Sequence, residues 1–172
     1  MARPVPSAAA EGGGAQGSGA DALEILRSRS GLAIDRAGRF LHRGEPITHE
    51  RTLAALWSSL GRAGDGRWRV SIGRESAYVD VEDVPWTVLG VLLGEGAAPV
   101  LVLPAGLREP LDPTTLTIGA DGVLRCRVRG DHPARFSRAA QVALGLALEE
   151  DPAGSGQYHL TVGKDRFAVR PG

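Results

Sequence analysis

Hydrophobic and polar positions along the chain follow two different periods, and the change from one to the other predicts strands and helices in a definite order. Residues 32–41 contain two strand-like runs around a turn, where Gly38 can take a positive φ, so they predict a β-hairpin. The next apolar residues recur at i, i+3, i+4 and i+7 behind Thr48, a suitable helix cap, and predict a helix with one apolar face. That face consists of Leu53, Leu56, Trp57 and Leu60. Alternation over 67–72 and again over 78–81 then predicts a second hairpin.

The same order of hairpin, helix and hairpin recurs from residue 116, which indicates two diverged copies of one unit. Matching residues lie 84 positions apart at the first turn, 87 at the proline before the helix and 90 in the last hairpin. The pairs are Ile34 and Ile118, Gly38 and Gly122, Pro46 and Pro133, Trp68 and Tyr158, and Gly73 and Gly163. The separation between matching residues increases steadily along the chain, as expected if short loops were inserted into the second copy. The second helix is predicted over 133–150, and its Ala, Val and Leu content makes it the more buried of the two.

These patterns predict an α+β protein made of two diverged hairpin-helix-hairpin units, with mostly antiparallel sheets joined by an extra central hairpin. The central hairpin is expected from two apolar runs on either side of the Gly94-Glu95-Gly96 turn. Before the first unit, a segment dominated by Gly, Ala, Pro and Ser predicts a disordered tail. The predicted boundaries are 1–20 for the tail, 21–31 for a short helical lead, 32–106 for the first unit with its connecting hairpin, and 107–172 for the second unit.

Composition and charge narrow the class of protein. The 172 residues are 42% hydrophobic and 23% charged, as expected for a globular protein with a real core. Twenty basic and twenty acidic side chains cancel, so no overall field draws the chain to nucleic acid or to an anionic membrane. No apolar run reaches the 18 residues of a spanning helix, and the first 20 residues lack a signal-peptide core. We therefore expect a soluble cytoplasmic protein with neither a nucleic-acid nor a membrane partner.

Several spaced motifs resemble the bacterial proteins of domain-of-unknown-function family 1285. The motifs are Ile34-Asp35-Arg36 with Gly38, Gly44-Glu45-Pro46-Ile47, the helix from Arg51 to Leu60, and Val81-Glu82-Asp83-Val84-Pro85-Trp86. The resemblance covers roughly residues 32–150 and departs from the family at 71–76. It implies a two-part α+β fold with repeated motifs and no assigned reaction, and a role in signalling has been suggested for the family.

Candidate chemistry centres on Glu82 and Asp83, which precede an aromatic residue. Paired carboxylates can bind a cation or act as general acid and base when burial separates their pKa values. The structural alternative is an acidic turn that accepts backbone hydrogen bonds or pairs with Arg36 or Arg51. The four histidines have no metal-ligand spacing, and no H-E-x-x-H, C-x-x-C or EF-hand run occurs, so neither a metal nor a cofactor is expected.

The favoured hypothesis is a non-enzymatic ligand-sensing or protein-interaction module with a role in signalling, whose partner is an unknown small ligand or protein. Its binding cleft is expected between the two units. The residues predicted to line it are Asp35, Arg36, His42, Arg51, Glu82, Asp83 and Trp86. The alternative is a small hydrolase that uses Glu82 or Asp83 together with His42.

Overall fold

A computed structural model describes residues 31–152 and 156–172 of the chain. The predicted tail at 1–20 and all but the last residue of the helical lead at 21–31 lie outside the described residues. Within the described ranges the chain forms an α+β fold whose two helices are α1 (Glu50–Ser59) and α2 (Arg138–Gly145). No helix in these ranges is both long and apolar enough to cross a membrane.

The strands are short and fall into three groups along the chain. The first group is β1 (Leu32–Ile34), β2 (Phe40–His42), β3 (Glu45–Pro46), β4 (Leu60–Arg62), β5 (Trp68–Ile72), β6 (Glu75–Tyr78) and β7 (Asp80–Val81). The central group is β8 (Trp86–Val88), β9 (Gly90–Leu92), β10 (Val100–Val102) and β11 (Arg108–Pro110), and short 3-10 turns follow at Pro104–Gly106 and Pro113–Thr115. The last group is β12 (Thr117–Ile118), β13 (Leu124–Val128), β14 (His132–Phe136), β15 (Leu148–Glu150), β16 (Tyr158–Val162), β17 (Asp165–Ala168) and β18 (Arg170–Pro171).

Five sheets result, and their pairings are mostly antiparallel, as predicted. The strand orders are β3-β2-β1-β7, β4-β5-β6, β11-β10-β9, β18-β12-β13-β14-β8 and β15-β16-β17. The predicted central hairpin is the antiparallel pair β9 and β10, to which β11 adds a third strand. Parallel pairing joins β1 to β7, β12 to β18, and β14 to β8. Because β8 pairs with β14, the segment that connects the two halves supplies the edge strand of the sheet β18-β12-β13-β14-β8.

The two halves of the chain share an order of elements and a pattern of pairing. β1 pairs with β2 in antiparallel fashion and with β7 in parallel, and β12 pairs in the same way with β13 and β18. The next turn of each half has two residues with positive φ, at 53° and 87° for Arg43 and Gly44 and at 51° and 89° for Arg129 and Gly130. That the halves arose from one unit stays a prediction.

The first helix follows the predicted pattern except at its ends. Leu56 and Trp57 are buried, whereas Leu60 begins β4 instead of ending the helix. His49 replaces Thr48 as the cap, since its Nδ1 accepts the backbone N–H of Thr52 at 3.4 Å.

The second helix is shorter and more exposed than predicted. Ser137 caps it by accepting the N–H of Ala140 at 3.2 Å, so the run from Pro133 up to the cap belongs to β14. Val142 and Leu146 are 64% and 82% exposed. The prediction of a buried helix over 133–150 was wrong because hydrophobic content alone does not separate a buried strand from a helix.

The core runs through both halves without a break. Trp57 packs edge-on against Phe40, with ring centroids 4.6 Å apart, and against Trp86 at 4.9 Å. Trp86 enters from β8, so an aromatic chain links α1 and the first sheet to the strand that pairs with β14. Cys126 is buried in the same core, where burial raises the pKa of its thiol to about 12, so this thiol is not a ready nucleophile.

Candidate functional site

A network of charged groups lies where the first half of the chain meets the second. Arg125 on β13 and Arg135 on β14 are direct partners in the antiparallel register, so their side chains stand next to each other on one face. Asp83, in the loop after β7, contacts both: Oδ1 accepts Arg125 Nη1 at 3.1 Å and Oδ2 accepts Arg135 Nη1 at 3.2 Å. The Asp83 carboxylate of the first half thus bridges two guanidinium groups of the second half.

Asp121 extends the network at the β12–β13 turn. Its Oδ2 lies 3.1 Å from Arg125 Nη2, and its Oδ1 accepts the N–H of Val123 at 3.1 Å. The Val123 hydrogen bond is the largest influence on the carboxyl; against the opposing effect of burial, it and the contact with Arg125 lower the pKa of Asp121. The hydrogen bond that Arg125 donates to Asp83 is the main cause of a raised pKa for Arg125. The Asp121 carboxyl therefore stays ionised at neutral pH.

The first hairpin turn supplies the other side of the network. The Arg36 N–H donates to Glu82 Oε2 at 2.9 Å, and the Arg36 carbonyl accepts Arg135 Nη1 at 3.2 Å. Asp35 binds the N–H and the guanidinium of Arg39, both at 2.8 Å. Burial acts to raise the pKa of Asp35, but these bonds outweigh it and lower the pKa. The structure therefore brings Asp35, Arg36, Glu82 and Asp83 together, and that they line a binding cleft stays a prediction.

The structure places three other predicted cleft residues elsewhere. His42 lies opposite Leu32, at the end of the first hairpin away from the Asp35 turn. Arg51 is exposed in the first turn of α1 and lines a separate cavity with Ala105. Trp86 is fully buried, and its Nε1 donates to Nδ1 of His132 at 3.2 Å. Trp86 is thus a core residue, away from the surface of the charged network.

A cavity of about 340 Å³ adjoins the network on its β14 side. Asp121 and Arg135 line it together with Arg138, the first residue of α2. Arg138 is exposed and, within the described residues, makes no hydrogen bond or ion pair. Arg135 uses only Nη1 in its described contacts, so its remaining N–H donors are available to a ligand.

Sequence reasoning missed Arg125, Arg135 and Arg138. They lie 42, 52 and 55 positions after Asp83, and nothing in local periodicity joins them to it. Arg135 and Arg138 fall in the segment 133–150 that was predicted as a helix, so the pairing of Arg135 with Arg125 across β13 and β14 could not be anticipated. Among the described residues no group of three or more His, Cys, Asp or Glu side chains is placed to hold a metal ion.

Solved structures share this α+β arrangement, and two of them are DUF1285 family proteins. The one from Silicibacter pomeroyi is 20% identical with a TM-score of 0.62, and the match covers 81% of this chain and 79% of that one. The one from Shewanella baltica is 14% identical with a TM-score of 0.57, covering 67% of this chain and 90% of that one. No family sequence model matches the chain, and neither does any curated protein.

The chain thus has the fold of the DUF1285 proteins. The resemblance inferred from the Ile34-Asp35-Arg36, Pro46-Ile47 and Glu82-Asp83 motifs is confirmed at the level of fold. Identities this low carry no statement about a ligand or a reaction.

Proposed function

We propose that this chain is a non-enzymatic sensor module, a distant DUF1285 relative that binds a small organic anion in the cavity beside the Asp83 network. One observation carries the proposal: Arg135, which Asp83 holds in place, lines a cavity of about 340 Å³ together with the unpaired Arg138. Guanidinium groups bind carboxylate and phosphate through two parallel N–H bonds, which favours an oxyanion as the ligand.

The same contacts suggest how binding is sensed. Arg135 connects the cavity to Asp83 and to the Arg36 carbonyl, and both of these belong to the first half of the chain. An oxyanion on the remaining N–H donors of Arg135 shares the positive charge of the guanidinium with Asp83 and so weakens the Asp83 contact. Binding therefore alters the contact between the halves, which is what a signalling role requires of a protein without catalytic groups.

Anion titration tests the proposal directly. Succinate and inorganic phosphate are titrated into the full chain by calorimetry at low ionic strength, since salt screens exposed charges. Arg138→Ala is expected to weaken binding about tenfold, because a charge-assisted hydrogen bond contributes about 1.5 kcal/mol or more. Arg74→Ala is the matched control, because Arg74 is exposed in the β5–β6 turn outside the cavity. Equal affinities in wild type and Arg138→Ala, or no binding of any oxyanion, would refute the proposal.

The hydrolase alternative has no comparable observation in its favour. Glu82 accepts a backbone N–H, and Asp83 is occupied by two guanidinium groups. His42 lies opposite Leu32, at the end of the first hairpin away from the Asp35 turn where Glu82 binds.

We also propose that the halves are diverged copies of one unit, with a boundary near residue 106. Equivalent backbone hydrogen bonds support the correspondence: Gly38 donates to the carbonyl of Asp35 and Gly122 to that of Gly119, both at 2.9 Å. The helix caps His49 and Ser137 are 88 positions apart, between the offsets of the hairpins before and after.

A further inference from the structure

A second, apolar groove runs along α2 next to the anion cavity. Its volume is about 360 Å³, and its walls come from α2, β12, β13, β15 and β16. Apolar side chains form most of the wall: Ile118, Leu124, Val142, Leu148, Tyr158 and Val169. Tyr158 is 41% exposed and Val142 64% exposed, so a continuous apolar surface faces solvent here.

Each aliphatic wall residue contributed by a strand matches a core residue of the first half. Ile34 pairs with Phe40 across the first hairpin, and Ile118 pairs with Leu124 in the same way. Leu148 begins β15 as Leu60 begins β4. The residues of the first half are all buried. The groove is therefore the counterpart of a space that is filled in the first half.

A single position accounts for the difference. Trp57 is the eighth residue after the cap of α1, and Gly145 is the eighth after the cap of α2. The Trp57 ring packs on Phe40 at 4.6 Å, whereas a Cβ added to Gly145 would meet nothing within 4 Å. The second half therefore lacks the side chain that fills the first, and the space lies open.

The groove and the anion cavity are neighbours along α2. Gln141 and Val142 line both. Gln141 offers no free polar group, because its Oε1 accepts the N–H of Leu124 at 3.0 Å and its Nε2 donates to the Gly122 carbonyl at 2.9 Å. A ligand that extends along α2 across both would therefore meet hydrocarbon walls at one end and two guanidinium groups at the other.

We propose that the sensed anion is a single-chain amphiphile of the fatty-acid class, with its carboxylate on Arg135 and Arg138 and its alkyl chain in the groove beside Gly145. This assignment rests on the proposed function and names its ligand. The groove suits an alkyl chain better than a peptide, because apart from Tyr158 and the satisfied Gln141 its walls have no side-chain partner for backbone amides. At roughly 30 Å³ per methylene, about the volume of a water molecule, the groove of about 360 Å³ accommodates a chain of about twelve carbons.

A chain-length series tests the assignment on the full chain. Affinities of butanoate, hexanoate, octanoate and decanoate are measured by calorimetry. Each added methylene is expected to increase affinity about fourfold until the groove is full, since burying a methylene is worth about 0.8 kcal/mol. Arg138→Ala is expected to weaken every member of the series by the same factor.

The Gly145→Trp variant gives the second half a tryptophan at the position that corresponds to Trp57 in the first half. It is expected to abolish the increase with chain length while butanoate still binds. Leu146→Trp is the matched control, since Leu146 is 82% exposed and does not line the groove. The chain-length series is measured on the wild-type protein, so it still tests the proposal if the Gly145→Trp variant misfolds.

Two results would overturn the lipid assignment. If butanoate binds in an Arg138-dependent way but affinity does not rise with chain length, the groove is not the site of the chain and only the anion proposal stands. If no carboxylate of any length binds, the lipid assignment fails, and if phosphate and succinate do not bind either, the anion proposal fails with it. If residues 21–30 or a second copy of the chain occupied the groove, decanoate would not displace that occupant. Gly145→Trp would then change the protease sensitivity or the oligomeric state instead.

Discussion

Asp83 relieves the repulsion between two arginines that the strand register sets side by side. Arg125 and Arg135 are cross-strand partners, and like charges in that position are destabilising. The Asp83 side chain is 22% exposed, so its contacts are only partly screened by solvent. This one residue therefore matters both for stability and for the geometry of the anion cavity.

Asp83→Asn is expected to lower the free energy of unfolding by about 1 to 2 kcal/mol, because it removes the compensating charge and keeps the shape. Urea denaturation followed by circular dichroism measures the loss. Asp131→Asn is the control: Asp131 is 91% exposed, 3.6 Å from Arg127, and its replacement should change the free energy by less than about 0.5 kcal/mol. Equal effects of the two substitutions would contradict this account of Asp83.

His132 connects core packing to pH. Its Nδ1 accepts the Trp86 indole N–H, and its ring packs edge-on against Trp68 at 4.9 Å. Burial, with the nearby charges of Arg62 and Arg129, lowers its pKa, and the opposing effects of Asp131 and Glu109 are smaller. An imidazole that accepts at Nδ1 carries its proton on Nε2 when neutral.

The sign of the pH dependence follows from that lowered pKa. Above the unfolded value of 6.5 both states hold a neutral ring. As pH falls below it the unfolded chain takes up a proton first, so stability is lost between 6.5 and the lower folded pKa. Denaturation midpoints from pH 7.5 to 5 are expected to decline less in His132→Gln than in wild type. An NMR titration that gave His132 a pKa above 6.5 would contradict the argument.

At the scale of elements, matching turns of the two halves differ in what surrounds them. Gly38 and Gly122 both have positive φ, at 78° and 73°, in the turns that follow β1 and β12. A Cβ on Gly38 would collide with the Thr87 side chain on β8, whereas a Cβ on Gly122 would meet nothing within 4 Å. Among the described residues, no strand covers the second turn as β8 covers the first.

Alanine substitutions at the two turns are expected to separate backbone strain from steric clash. Gly122→Ala should cost about 1 to 2 kcal/mol, the usual penalty for a left-handed residue. Gly38→Ala should cost about 1 to 3 kcal/mol more, because it also overpacks Thr87. Thermal unfolding of both variants measures the difference. Gly38→Ala with Thr87→Ala is a useful partner variant, since removing the Thr87 hydroxyl, the atom nearest the added Cβ, should recover part of the loss.

For the whole molecule, the continuous core predicts that the halves unfold together. Phe40, Trp57 and Trp86 form one aromatic chain, and β8 adds the connecting segment to the later sheet. Tryptophan fluorescence reports the first half and the connector, because the chain has Trp only at 57, 68 and 86. Its transition should coincide with that measured by far-ultraviolet circular dichroism. Two separated transitions would show that the units fold independently.

Much of the fold was predictable because it depends on local pattern. The turn at Gly38, the apolar face of α1 through Leu56 and Trp57, and the central hairpin all follow from neighbours in the chain. The bounds of α2 did not, because the run from Pro133 has the hydrophobic content of a helix and becomes a strand by pairing with β13 and β8. The charged cluster was half predictable: Asp35, Arg36, Glu82 and Asp83 belong to recognisable motifs, but their arginine partners do not.

By itself the sequence determined the order of hairpins and helices, the mixed α+β class and the turns that need glycine, since spacing and backbone freedom are properties of short segments. Only the tertiary structure decided that Asp83 meets Arg125 and Arg135, that Trp86 is core, and that Gly145 leaves open the space that Trp57 fills. Those features depend on strand register and on contacts between residues tens of positions apart. A local pattern does not contain that information, because the alternation of apolar residues decides which face of a strand is buried but does not say which strand it pairs with.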